Sequence, residues 1–132
     1  MYSYMPDYFC LENIAQSCAR NFKGDCGVQA LLFITLCRAA SIPARWQSGL
    51  YAAPQDVGHH DWTQFYIAPY GWLFADPSFG GSAGRAQNNP RRGNHFGNLD
   101  PYRMVANSEF QHSFEPPMKH WRYDPYDTRA AR

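Results

Sequence analysis

Three side chains in this sequence have types and settings suited to covalent chemistry: Cys26, His60 and Asp76. Cys26 stands in Gly24-Asp25-Cys26-Gly27, just ahead of a long apolar run. If that run is a helix, Cys26 lies in its first turn. Unpaired amide hydrogens and the helix dipole there favour the thiolate, the reactive form of cysteine. Gly24 and Gly27 leave room for another group to approach the sulfur. His60 opens one β-forming run and Asp76 closes the next. With residues 67–71 as the hairpin loop, Tyr66 faces Trp72 and Trp62 faces Asp76. His60 then becomes the diagonal neighbour of Asp76 on the same sheet face. Such neighbours lie about 7–8 Å apart at the backbone, within reach of an imidazole and a carboxylate. Taken singly, Cys26 reads as a buried core thiol, His60 as a satisfied histidine and Asp76 as a turn-former before Pro77. Taken together, they read as a thiol beside an acid-oriented imidazole.

Helices and strands must position these groups. Residues 7–20 carry Tyr8, Leu11, Ile14, Ala15 and Cys18 at helical spacing. Asn21 to Gly24 breaks the pattern. Asp25 is a favoured N-cap, and the helix it opens is expected from Cys26 to about Ala40. Val28, Ala30, Leu31, Leu32, Phe33, Ile34 and Leu36 make it apolar on most sides, which predicts a central, buried helix. Pro43 ends it, because the residue before a proline avoids helical geometry. Ala44 to Tyr51 suits a strand, Ala52 to Gly58 a loop, and His60 to Ile67 a second strand. Ala68-Pro69-Tyr70-Gly71 reads as the turn of a hairpin, with Trp72 to Asp76 as its return. Ser78 to Gly97, rich in glycine, reads as a long loop. Tyr102 to Phe110 reads as one further strand, and residues 116–132 as a surface tail. A buried helix followed by a small antiparallel sheet is an α+β arrangement.

The 132 residues suffice for one domain with a genuine core. Aromatic and charged residues each make up 17%, a composition unlike that of disordered chains. The net charge of +1 lacks the basic excess that nucleic-acid binding requires, so no nucleic-acid partner is expected. No stretch reaches the length of a membrane span. Met1 to Asp7 lacks the basic start and apolar run of a signal peptide and reads as the opening of a piece of a longer protein, with other domains as neighbours. Cysteines at 10, 18, 26 and 37 form no Cys-x-x-Cys pair, and free thiols are expected. His59, His60 and nearby acids show no standard zinc-ligand spacing, so neither metal nor cofactor is expected.

Gly24-Asp25-Cys26 opens an apolar helix leading to Ser41-Ile42-Pro43-Ala44-Arg45. His60-Asp61-Trp62 follows, then Tyr70-Gly71-Trp72-Leu73-Phe74-Ala75-Asp76-Pro77. This order, over about residues 20–80, resembles the transglutaminase-like superfamily of cysteine enzymes. The resemblance implies a papain-like α+β core with the nucleophile helix packed on an antiparallel sheet. It also implies Cys26 as nucleophile, His60 as general base and acid, and Asp76 as orienting carboxylate. His60 is preferred to His59 from the His-x-Trp spacing and from its face parity with Asp76. Family members usually carry a small or apolar residue between this histidine and tryptophan; here it is Asp61. They also often carry an upstream side chain that completes the oxyanion hole.

The chemistry implied is acyl transfer on a protein, peptide or peptidoglycan-type amide through a thioester. Hydrolysis is preferred to transamidation, because water needs no second binding site. The reading from another class is a non-catalytic protein- or carbohydrate-binding module on the same fold. A working triad predicts that all three side chains converge, with contacts of about 3–4 Å.

Overall fold

The computed structural model describes residues 13–83, 90–110, 115–117 and 119. Helix α1 (Ile14–Asn21) and helix α2 (Cys26–Ala39) precede strands β1 (Ala44–Ala53), β2 (Asp56–Ile67) and β3 (Gly71–Ala75). A short helix α3 (Pro77–Ala83), a 3-10 helix (Pro90–His95) and strands β4 (Phe96–Gly97) and β5 (Arg103–Asn107) follow. The strands form one antiparallel sheet in the order β4-β3-β2-β1-β5. Helices beside such a sheet make an α+β fold, as the sequence implies.

The capping residues set the helix bounds. Asn13 caps α1, its side chain accepting from the Gln16 amide at 2.9 Å. The helix therefore starts at Ile14, later than its hydrophobic spacing suggests; residues 7–12 lie outside the described residues. Phe22 ends it in a left-handed conformation (φ 54°), its amide donating to the Cys18 carbonyl at 2.9 Å. Asp25 caps α2 as expected, accepting from the Val28 amide at 2.8 Å. Such a cap contributes about 1 kcal/mol. Gly24 is needed where α1 hands over to α2, because a Cβ there would run into the Val28 side chain.

Helix α2 lies across one sheet face. Ala30, Ile34 and Cys37 pack on Ala44 and Trp46 of β1, with Phe33 edge-on to Phe65 of β2. Cys18 of α1 closes a second cluster with Val28 and Leu32. The helix is not buried all round: Leu36 is exposed, because sheet and α1 cover only part of its circumference.

Pleating divides the strands into two sets. Asp61, Thr63 and Phe65 of β2 share the α2 face with Ser48, Trp46 and Ala44, their direct partners in β1. His60, Trp62 and Gln64 share the opposite face with Gly49, Gln47 and Arg45. There Trp62 is fully buried, its Nε1 donating to Gln47 Oε1 at 2.9 Å. Arg45 Nε donates to Gln64 Oε1 at 2.7 Å.

The expected hairpin register is present: Tyr66 pairs with Trp72 and Thr63 with Ala75. Two loop expectations are corrected. Residues 52–58 are mostly strand, since Ala52 pairs with Val57 and Ala53 with Asp56, leaving a tight turn at Pro54-Gln55. Residues 78–97 contain α3, the 3-10 helix and β4. A proline at the first helical position, behind an aspartate cap, starts α3 despite its glycines. The further strand runs over Arg103–Asn107 only. Of the expected tail, residues 118 and 120–132 lie outside the described residues.

Candidate active site

Strand β3 stops at Ala75, opposite Thr63. Asp76 comes next, facing the part of β2 that holds His60 and Trp62. Its amide donates to the His95 carbonyl at 2.8 Å, and its side chain is fully buried. The two carboxylate oxygens have different tasks. Oδ1 accepts from Ser78 Oγ at 2.8 Å and from the Phe79 amide at 3.0 Å, capping α3. Oδ2 faces His60 Nε2 at 2.7 Å. An ionised carboxylate only accepts, so the Nε2 hydrogen donates and Nδ1 is the nitrogen open to a proton when the ring is neutral. Asp76 is thus both a helix cap and the partner of an imidazole. His60, not His59, holds this position; His59 is exposed.

Asp76 Oδ2 also has a cation beside it. Arg103 Nη1 from β5 lies 2.8 Å away, angled so that the contact is one of charge rather than an aligned hydrogen bond. The Arg103 side chain is 3% exposed. Its Nη2 and Nε donate to Asp100 Oδ2 at 2.8 and 3.0 Å. Its guanidinium carbon lies 4.6 Å from the Phe79 ring centroid, 4.8 Å from that of Tyr51 and 5.4 Å from that of Trp62. Phe79 also covers His60, with ring centroids 4.6 Å apart. Burial alone would raise the Asp76 pKa. The His60 hydrogen bond and charge, the Phe79 amide and the Arg103 charge outweigh it and hold the value at about 2.

Cys26 stands at the first position of α2, as expected, and is free, as are Cys18 and Cys37. Its hydrogen-bond partner is Asp61, with Sγ donating to Oδ2 at 3.5 Å. No hydrogen bond joins Cys26 to His60. The structure therefore brings His60 and Asp76 together and sets Cys26 beside Asp61, the next residue of β2 on the other face. The thiol also departs from expectation. Burial first, then the Asp61 charge, push it well above the ordinary cysteine range, with a smaller contribution from Asp25. The helix start does not outweigh a neighbouring carboxylate, so the resting thiol is protonated. Cys18, more deeply set in the apolar cluster, is raised by burial to about 11.

Arg103, Ser78 and Phe79 escape the sequence reading. Ser78 and Phe79 fall in the segment taken for a loop. Arg103 is brought in by β5 pairing with β1, where it stands opposite Tyr51, and no local motif announces that pairing. Asp61 is visible in the sequence as a departure from the usual pattern, but its partner is not. Among the described residues no group of three or more His, Cys, Asp or Glu side chains could hold a metal ion. No described helix is long and apolar enough to cross a membrane.

A thiol at a helix start, a strand histidine paired with a buried aspartate, and one antiparallel sheet beside the helix define an α+β class of cysteine-dependent folds. The family model for the transglutaminase-like superfamily matches residues 1–77, and the chain belongs to that superfamily. Membership carries a cysteine-dependent catalytic role at the level of the family. A solved structure of a candidate cysteine protease from Cytophaga hutchinsonii is similar at 29% identity, with a TM-score of 0.49. That match covers 58% of this chain and 26% of the other. Comparison with curated proteins yields no match.

Proposed function

We propose that the protein performs acyl transfer on amide bonds, with hydrolysis as the outcome, using Cys26, His60 and Asp76. The observation that carries this reading is the buried 2.7 Å pairing of His60 Nε2 with Asp76 Oδ2, in a chain of a superfamily with a cysteine-dependent catalytic role and with Cys26 at the start of α2. An isolated surface histidine needs no such partner. The pairing fixes the ring and turns its basic nitrogen, Nδ1, away from the acid. The reaction requires the sulfur to leave Asp61 and come within reach of Nδ1.

In the reaction, the Cys26 proton passes to His60 Nδ1 as the sulfur bonds to the carbonyl carbon. The oxyanion is stabilised by the amides at the start of α2. On collapse the C–N bond breaks, and His60 returns the proton to the departing amine. Water then attacks the thioester, giving one proton to His60, which restores the thiol as the C–S bond breaks.

Trapping the acyl-enzyme tests the reading. With an activated ester such as p-nitrophenyl acetate, mass spectrometry of peptides from quenched protein should find the acyl group on Cys26. It should be absent in Cys26→Ala and strongly reduced in His60→Ala. Acylation of Cys18 or Cys37 instead, or equal rates in His60→Ala, would overturn it. One observation favours a non-catalytic binding module: the hydrogen bond that keeps the Cys26 thiol on a carboxylate. The same measurement separates the two, since a binding module leaves Cys26 unacylated.

A further inference from the structure

We propose that Arg103 is a positioning residue of the His60–Asp76 pair, and that by sharing Asp76 Oδ2 with the imidazole it keeps His60 in its neutral, proton-accepting form. The inference rests on the reading of His60 as the base. Arg103 lies in β5, beyond the 1–77 segment that the family model matches.

Both groups approach the same oxygen, His60 Nε2 at 2.7 Å and Arg103 Nη1 at 2.8 Å. A guanidinium is charged across the working pH range. A proton added to His60 therefore meets a carboxylate already partly neutralised and a like charge a few ångströms off. Asp76 alone would pull a proton onto the ring; Arg103 opposes that pull. The resting thiol of Cys26 is itself protonated beside Asp61. Such a site needs a neutral base rather than a preformed thiolate–imidazolium pair, and a balanced carboxylate provides one.

Other features support a built arrangement rather than a chance surface contact. Arg103 is 3% exposed, anchored from behind by Asp100 Oδ2 and covered by Tyr51, Phe79 and Trp62. Phe79 covers His60 as well, so one ring fixes the spacing of imidazole and guanidinium. The titratable and charged groups around the pair are Arg103 and Asp100 from the β5 region, Tyr51 from β1 and His95 of the 3-10 helix, whose carbonyl accepts from the Asp76 amide and whose ring lies edge-on to Phe79. Ser78 of α3 adds a hydroxyl 3.4 Å from His60 Nε2.

The test is the NMR titration of the His60 ring proton, assigned by its loss in His60→Ala, in wild-type protein and in Arg103→Gln and Arg103→Lys. Two like charges about 5 Å apart in a buried site shift a titration by about one to two pH units. Arg103→Gln should raise the His60 midpoint by about that much. Arg103→Lys keeps the charge, but one ammonium cannot reach Asp76 and Asp100 together while lying among the three rings, so its midpoint should rise by about a quarter to a half as much. A purely structural arginine would lower thermal stability in both variants and leave the midpoint in place, and that result overturns the proposal. Should Arg103→Gln fail to fold, the folded lysine variant decides: a midpoint equal to wild type refutes the inference. The titration needs neither substrate nor turnover, so it stands even if the acyl-trapping experiment fails. In active protein, the acid limb of kcat/KM against pH should move by the same amount.

Discussion

Replacing Asp61 with asparagine isolates the effect of one charge on the thiol. Asparagine has nearly the same shape and keeps an oxygen that can accept from Cys26. Two unit charges at the observed 3.5 Å interact by roughly 5 kcal/mol at an effective dielectric of about 20 and by roughly 1 kcal/mol in water. Cys26 is half-buried, so about 2–3 kcal/mol is the expected release, or roughly 1.5–2 pH units. The thiol stays above its ordinary range because burial, the larger cause, is untouched. At neutral pH the thiolate population rises by about 30- to 100-fold. Each unit of lost basicity also lowers nucleophilicity, with a Brønsted coefficient of about 0.4–0.5, so the net gain in reaction with a disulfide is roughly 6- to 16-fold. The assay is thiol–disulfide exchange with an aromatic disulfide, followed by release of the coloured thiolate. The rate of Cys26→Ser is subtracted to remove the other cysteines. A folded Asp61→Asn protein that reacts no faster than wild type refutes the reasoning and removes Asp61 as the group that holds the thiol protonated.

Roles within the triad separate by substitution: Cys26→Ala should abolish acyl transfer, His60→Ala should come close, and Asp76→Asn should cost roughly 10- to 1,000-fold in turnover. A thiol needs less help from the acid than a serine does, for which the matching change costs about 10⁴; asparagine can still cap α3, so circular dichroism should be unchanged. Asp76 also sets an acid limit to stability. Its folded pKa of about 2 lies below the ordinary 3.8, so its contribution, about 2 kcal/mol, is complete above roughly pH 4 and lost as pH falls towards 2. Urea midpoints across that window should show the fall, and Asp76→Asn should flatten it. Gly49→Ala should destabilise the fold by about 3 kcal/mol or more in thermal melts, because the added Cβ would collide with the Met104 carbonyl where β5 crosses β1.

What the sequence made legible was local. Asp25 before an apolar run announced α2. Tyr66 opposite Trp72 followed from turn composition, and from that register came the meeting of His60 with Asp76. Each rests on neighbours within one helix or one hairpin. The contacts that escaped depend on separate elements coming together. Asp61 was read as an odd substitution, yet its meaning lies in the α2 start arriving on its face of β2. Arg103 gave no sign, since one arginine in a short strand carries no periodicity. The expectation of a reactive thiolate failed for a related reason: the helix start is a local feature, whereas the desolvation and the carboxylate that oppose it belong to the assembled core. Residues 78–97 read as a loop because their glycines outweigh one well-capped turn.

The position of β5 at the sheet edge has a consequence for the order in which the molecule assembles. Strands β1, β2 and β3 follow one another along the chain and pair through short turns. Strand β5 must close a long loop to reach β1, and contacts of such separation form late and open early. His60 and Asp76 can therefore find each other while Arg103 is still in solvent. The charge balance at Asp76 is the last part of the site to be completed on folding and the first to be undone on local opening.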